Sequence, residues 1–259
     1  MARDVMDVDR LSTEISYCEI ARGLVDKPVA GHPCSKIVAT QHVHNWNAFQ
    51  VPEPWSGHLT ESPILFLSSN PSISVAEAYP TGSCAPSEVT SFFEVRFDGK
   101  WVNKKNQSLN ADGSYGPVVP YWSCIRNRAA ELLGREAVPG VDYAISEIVH
   151  CKSIREDGVL SALKTCASRY LPRLLQFSSA LVVVIVGGKA LGYWNSLELP
   201  SVPHVPERDG TPLVMAFGRE RVFLYLPHPA GPKKKCFVDW VRKEKLNEVQ
   251  ELIASQRLK

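Results

Sequence analysis

The sequence predicts an α/β fold: a three-layer α/β/α sandwich around a central, mostly parallel sheet of about four strands. Apolar, β-branched segments at 64–67, 143–150, 181–186 and 222–226 alternate with segments of helical spacing, the order that builds parallel sheets. These segments are largely apolar, as strands covered on both faces are. A chain of 259 residues, 44% of them hydrophobic, has enough apolar surface for one full core, so residues 1–259 are read as a single domain.

The elements follow in order. Leu11, Ile15, Cys18, Ala21 and Val25 recur at helical spacing and predict a helical entry over residues 1 to about 30. Residues 28–63, rich in His, Pro and Trp, read as an irregular arm with one short strand. Ile64 to Leu67 is a buried strand. Residues 74–120, punctuated by Gly, Pro and Ser, read as a long lid or substrate loop. YWSCIRNRAAELLG is a helix closed by Gly134, and YAISEIVH (143–150) is a strand. LSALKTCASRYLPRLLQF (160–177) is a helix interrupted near Pro172. LVVVIVGG is a strand turning into a helix at KALGYW, VFLYLPHPAG (222–231) is the last strand, and CFVDWVRKEKLNEVQELIASQ a closing amphipathic helix.

A formal net charge of +2 marks no nucleic-acid partner by itself, so the location of the charge matters. Two local clusters stand out, Lys104-Lys105 and Lys233-Lys234-Lys235. The start, MARDVMDVDR, has acidic residues and no apolar stretch behind it, which predicts no leader and a cytoplasmic location. The longest apolar run, Leu181 to Val186, is far shorter than the roughly 20 residues that span a bilayer, so no membrane partner is expected. Seven cysteines in a reducing compartment are read as free thiols or as ligands rather than a disulfide framework.

Two strands end alike, in LFLSSNPS and LYLPHPAG, each placing a polar side chain, Asn70 or His228, before a proline that forces the chain to turn. Either alone is an ordinary turn. Together, at the exits of two parallel strands, they face one crevice. An amide that holds a water and an imidazole that stabilises charge developing on an oxygen suit hydrolysis of a bond whose leaving group departs as an anion. An N-glycosidic bond to a pyrimidine is such a bond, and no covalent nucleophile is needed. There is no Gly-x-Ser-x-Gly elbow to support a serine hydrolase.

On these motifs the chain resembles the uracil-DNA glycosylase superfamily. SSNPSIS is similar to the Gly-x-Asn-Pro-Gly motif of its mismatch-specific branch, and LPHPAG to the second motif, His-Pro-Ser. AISEIVHCKS, LKTCASRYLPRLL and LVVVIVGGKA resemble successive elements of the iron-sulfur branch, so the likeness covers about residues 60–240.

The resemblance implies a DNA glycosylase that leaves an abasic site. Asn70 would position the attacking water and His228 would hydrogen-bond the base carbonyl. Ser69, Tyr121 and Glu147 would bind the base, with Trp122 the competing aromatic and Glu147 standing where relatives carry an Asn. A carboxylate donates no hydrogen bond unless protonated, so Glu147 opens a second reading, in which another damaged or mismatched base is the substrate. Ser72 and Ser74 would hold a phosphate or cap a helix, and Lys233, Lys234 and Lys235 would bind DNA phosphates. No apolar wedge follows HPAG, which favours single-stranded or mismatched DNA as the partner. A monomer is expected.

Cys151 and Cys166 match two cluster ligands of that branch, and Cys18 and Cys34 are the N-terminal candidates to complete a [4Fe-4S] set. Four reduced thiols are the alternative. A third functional reading is a binding protein of the same fold without catalysis.

Overall fold

The computed structural model describes residues 2–231 and 233–256. The entry forms two helices, α1 (Ala2–Ser16) and α2 (Glu19–Asp26), broken at Cys18, where the backbone leaves the helical region. The arm that follows carries a short helix, α3 (Ser35–Ala39), and a two-residue strand, β1 (Trp55–Ser56). Strand β2 (Ile64–Ser68) is buried at every position.

The segment read as a long loop contains helix α4 (Pro86–Glu94) and a hairpin, β3 (Gln107–Leu109) with β4 (Tyr115–Val118). Pro86 opens α4, and the Glu88 carboxylate accepts the Ala85 backbone N–H. Helix α5 (Pro120–Leu133) ends at Gly134, whose φ of 65° lies in the left-handed region.

Strand β5 (Tyr143–Glu147) is shorter than its apolar pattern suggested. Helix α6 (Val159–Phe177) runs through Pro172 without interruption. Proline removes one backbone hydrogen bond there, and nine buried side chains along α6 hold the helix together across the gap. Strand β6 (Val182–Val186), helix α7 (Gly188–Asn195), strands β7 (Val214–Ala216) and β8 (Arg219–Leu226), and helix α8 (Lys243–Gln256) complete the order. The closing helix starts later than its amphipathic pattern implied, because residues 237–239 form a separate 3-10 turn.

The sheet has six strands, in the order β1-β5-β2-β6-β8-β7, rather than about four. β5, β2, β6 and β8 are parallel and form its centre; β1 and β7 are antiparallel edges. The edges span two and three residues, too short to leave a period in the sequence.

Helices cover both faces. Leu65, Leu67, Val183, Ile185, Phe223 and Tyr225 pack in a cluster with α1, α2, α4, α6 and α7, while Ile64, Phe66, Val182, Val184 and Leu224 pack with α5 and α8. Alternate residues of one strand thus enter opposite cores, which explains the continuous apolar runs. No helix among the described residues is long and apolar enough to cross a membrane. The four parallel strands deliver their carboxyl ends to one edge, where Ser68, Glu147, Val186 and Leu226 are the last strand residues.

Candidate active site

A cavity of about 420 Å³ opens at that edge. Its wall includes Ser69, Asn70, Ser72, Ser74, Tyr121, Glu147 and His228, all separately expected from the sequence. It also includes Trp122.

The first strand exit is rigid. Beyond the last β2–β5 pair, Ser68 with Glu147, the two chains stay zipped: Ile148 N–H donates to Ser68 O (2.9 Å), Val149 N–H to Ser69 O (3.0 Å) and Ser153 N–H to Pro71 O (3.0 Å). Half-buried Asn70 uses its amide nitrogen in the same way, donating to Ser153 Oγ at 2.8 Å and Pro71 O at 2.9 Å, with Cys151 O at 3.4 Å. These bonds fix which way the amide faces. Its Oδ1 accepts no hydrogen bond from a described residue and is left for a ligand.

The second exit is looser. His228 is exposed, and its Nδ1 accepts the Ala230 N–H at 3.2 Å, so the neutral ring carries its proton on Nε2. Burial of the ring within the cavity mouth lowers its pKa; Lys235 adds to the shift and Glu156 opposes it. The exit of β6 lies beside it. Gly187 has a φ of 98°, and a Cβ there would stand 3.3 Å from His228 Cβ.

Tyr121 faces His228, with ring centroids 5.9 Å apart, and its hydroxyl hydrogen-bonds Ser68 Oγ. Trp122 instead lies under the Arg96 guanidinium, 5.3 Å from the ring centre, and packs edge-on to Phe97. Of the two aromatics, Tyr121 is therefore the one whose ring faces His228.

Glu147 is 5% exposed, lines the cavity and leaves Oε2 without a partner. Burial first, then the nearby Glu53 charge, holds its carboxyl well above the usual range, against the pull of Lys152 and Arg96. That direction favours the protonated carboxyl, which donates one hydrogen bond and accepts another.

Several wall residues carried no signal in the sequence. Arg96, 4% exposed, bridges Glu53 (2.9 Å) and Glu77 (2.6 Å). Burial opposes its charge, but the two carboxylates outweigh that and raise its pKa. Lys152 is 2% exposed with Nζ 3.4 Å from the centre of the Tyr79 ring, and burial pushes its pKa down to about 8. Glu156 accepts the Ser69 hydroxyl at 2.6 Å and pairs with Lys189 at 2.7 Å. Ser69 therefore lines the cavity with its hydroxyl already engaged. Each of these groups takes its place from partners distant in the chain, which no local pattern encodes.

The chain matches no protein-family model and no curated protein.

The remaining expectations divide. No helix begins near Ser72 and Ser74, so helix capping is not their role; the next helix starts at Pro86. The three lysines after HPAG differ in their surroundings. Lys233 pairs with Glu207 (3.6 Å) and Lys234 with Asp239 (3.0 Å), while Lys235 lines a separate cavity beside the first.

Cys18, Cys34, Cys151 and Cys166 are all buried and line one small cavity between α2, α3, α6 and the segment after β5. Its volume is about 20 Å³. Cys18 and Cys34 stand at the N-caps of α2 and α3. Cys166 Sγ accepts the His150 backbone N–H at 3.4 Å. Burial raises the thiols of Cys151, of Cys34, to about 11, and of Cys166, to about 12. Among the described residues no group of three or more His, Cys, Asp or Glu side chains is set to hold a metal ion, so the four sulfurs surround a space rather than a point.

Proposed function

We propose that the protein is a DNA glycosylase of the uracil-DNA glycosylase type, hydrolysing the N-glycosidic bond of a flipped-out deaminated base, uracil first, to leave an abasic site. One observation carries this reading. Asn70 has committed its amide nitrogen and kept its oxygen, His228 has committed Nδ1 and kept Nε2–H, and both line one cavity with Tyr121 and Glu147.

In that cavity an acceptor holds a water and a neutral donor meets the leaving group. Asn70 Oδ1 accepts a hydrogen bond from the water and orients it toward C1′ of the sugar. As the C1′–N bond breaks, its electron pair leaves with the base, and His228 Nε2–H donates to the base carbonyl where the charge spreads. Water then adds to C1′ and gives up a proton, and the base takes one, so the step balances. Tyr121 stacks on the extruded base, and the neutral Glu147 donates to and accepts from its far edge. A charged carboxylate there would repel a departing anion. The same group favours a second reading, release of another damaged or mismatched base, since a carboxylic acid pairs with either a carbonyl or an amino edge.

DNA is the proposed partner and a monomer the proposed state. The four cysteines match a [4Fe-4S] cluster in kind and number, and they line one cavity. Such a group would supply electron-transfer capacity and a crosslink. Cys18, Cys34, Cys151 and Cys166 would hold it, tying α2 and α3 to the segment that anchors Asn70.

The test is base release from single- and double-stranded oligonucleotides containing uracil, hypoxanthine or no lesion, with Asn70→Ala and His228→Ala alongside. Uracil release that both variants lose supports the reading. No release of either base by the unaltered protein, with DNA binding intact, replaces it with a binding protein. Visible absorbance lost in Cys166→Ala tests the cluster.

A further inference from the structure

The candidate active site has no surplus of cations for a phosphate: Glu53, Glu77, Glu147 and Glu156 line it beside Arg96, Lys152 and Arg155, and Arg96 is already paired with Glu53 and Glu77. A nucleic acid bound there must have its backbone neutralised elsewhere.

A second cavity of about 490 Å³ lies on the other side of a shared wall. Along one stretch of chain Val119, Tyr121 and Trp122 line the first cavity, while Val118, Pro120, Ser123 and Cys124 line the second. At the second strand exit His228 faces the first and Pro229 the second. The two spaces are thus one residue apart at two independent places.

Their charge balance differs. No carboxylate is among the described residues lining the second cavity; it has Arg128 and Lys235, with Asn127 and Ser123 as neutral donors. Arg128 is positioned by donating from Nη1 to Lys235 O at 2.9 Å and by pairing with Glu131 at 3.0 Å, and its buried Nε has no partner. This ties the two cations into one unit. Unlike Lys233 and Lys234, Lys235 forms no ion pair with a described residue.

We propose that this cavity binds the phosphodiester group adjacent to the extruded nucleotide, with Arg128 and Lys235 as its cations. The assignment rests on the glycosylase reading for the position of the nucleotide, since a sugar whose base enters the first cavity carries its phosphate to the far side of the wall. A single nucleobase or nucleoside lacks that group and gains nothing from the second cavity.

The experiment is binding of an undamaged single-stranded oligonucleotide, followed by fluorescence anisotropy over a range of salt concentrations, with inorganic phosphate as competitor in a second series. Lys235→Ala and Arg128→Gln are each expected to weaken binding and to lower the slope of log K against log salt by about 0.7, the contribution of one phosphate contact to a single strand. Lys235→Arg should restore the slope. Lys233→Ala and Lys234→Ala should each change it by less. Competition by millimolar phosphate that depends on Lys235 would reassign the site to a free anion and overturn the proposal, as would a slope unaffected by Lys235→Ala in a folded variant. Binding does not require base release, so the two readings can fail separately. Intact binding through Lys235 without base release removes only the glycosylase, and base release indifferent to Lys235 and Arg128 removes only this site.

Discussion

The two strand exits, alike in sequence, are built differently. At the exit of β2, Asn70 is half buried, and its amide nitrogen donates to Pro71 O of its own turn and to Ser153 and Cys151 of the segment zipped against it. At the exit of β8, His228 is exposed, with one hydrogen bond from Ala230 and a glycine at its back. An attacking water must be held within a fraction of an ångström of its path, and rigidity serves that. A donor to a leaving base can close on its acceptor when substrate arrives. The contrast assigns the tighter geometric demand to Asn70.

The largest effect should therefore come from Asn70→Ala. We expect single-turnover base release to fall about 10³-fold or more, near 4 kcal/mol of transition-state stabilisation, for a stability cost of only about 1 kcal/mol. Comparable losses in release and in thermal midpoint would mean that Asn70 only holds the turn.

His228→Ala follows, with an expected loss of about 10²-fold and little change in stability above neutral pH. Its pH dependence separates it from Asn70. The folded ring has a lowered pKa, so below about pH 6.5 the unfolded chain binds a proton that the folded one resists. The stability contributed by the neutral ring is present above that pH and is lost as the pH falls through the folded value. Protonation also removes Nδ1 as acceptor for Ala230. Release by the unaltered protein should be level above neutrality and fall on the acid side, and the stability profile should lose its acid limb in His228→Ala. A limb that persists belongs to another group.

What the sequence made legible divides along the same line. The four central strands were visible because both faces are buried, and their exits because a proline after a polar residue is a local event. The edge strands β1 and β7 left no period, and the Gly, Pro and Ser punctuation of 74–120 masked α4, although Pro86 at its first turn and Glu88 two residues on were signals for it. In the site, Asn70, Tyr121, Glu147 and His228 were found through their motifs. Arg96, Glu53, Glu77 and Lys152 were not, because their burial is made tolerable only by each other across the fold. Ser153 was missed because its importance lies wholly in what it does to Asn70.

Ser153→Ala sharpens the comparison directly, since it removes the shortest tether of Asn70 while leaving the bonds to Pro71 O and Cys151 O. Asn70 should then behave more like His228, able to find its place but not held in it. We expect about a 10-fold loss of release, in the rate constant rather than in DNA binding. An unchanged rate would show that rigidity at this exit is incidental.

The smallest effect on rate should come from Glu147→Gln, opposite Ser68 at the end of the β2–β5 ladder. The amide offers one donor and one acceptor, as the neutral acid does, so release at neutral pH should stay within about 10-fold. The informative difference lies in stability. The folded carboxyl has a raised pKa, so above the unfolded carboxylate value of about 4.3 the folded chain holds a proton that the unfolded chain releases. Stability of the unaltered protein must then fall as pH rises from there toward the folded value, and Glu147→Gln must lack that fall. The thermal midpoint of the variant relative to the unaltered protein should therefore rise between pH 5 and about pH 8. A difference that stays constant with pH would mean that Glu147 is ionised in the fold. The far edge of the base would then face a negative charge, and a leaving anion would be repelled from the wall that His228 does not reach.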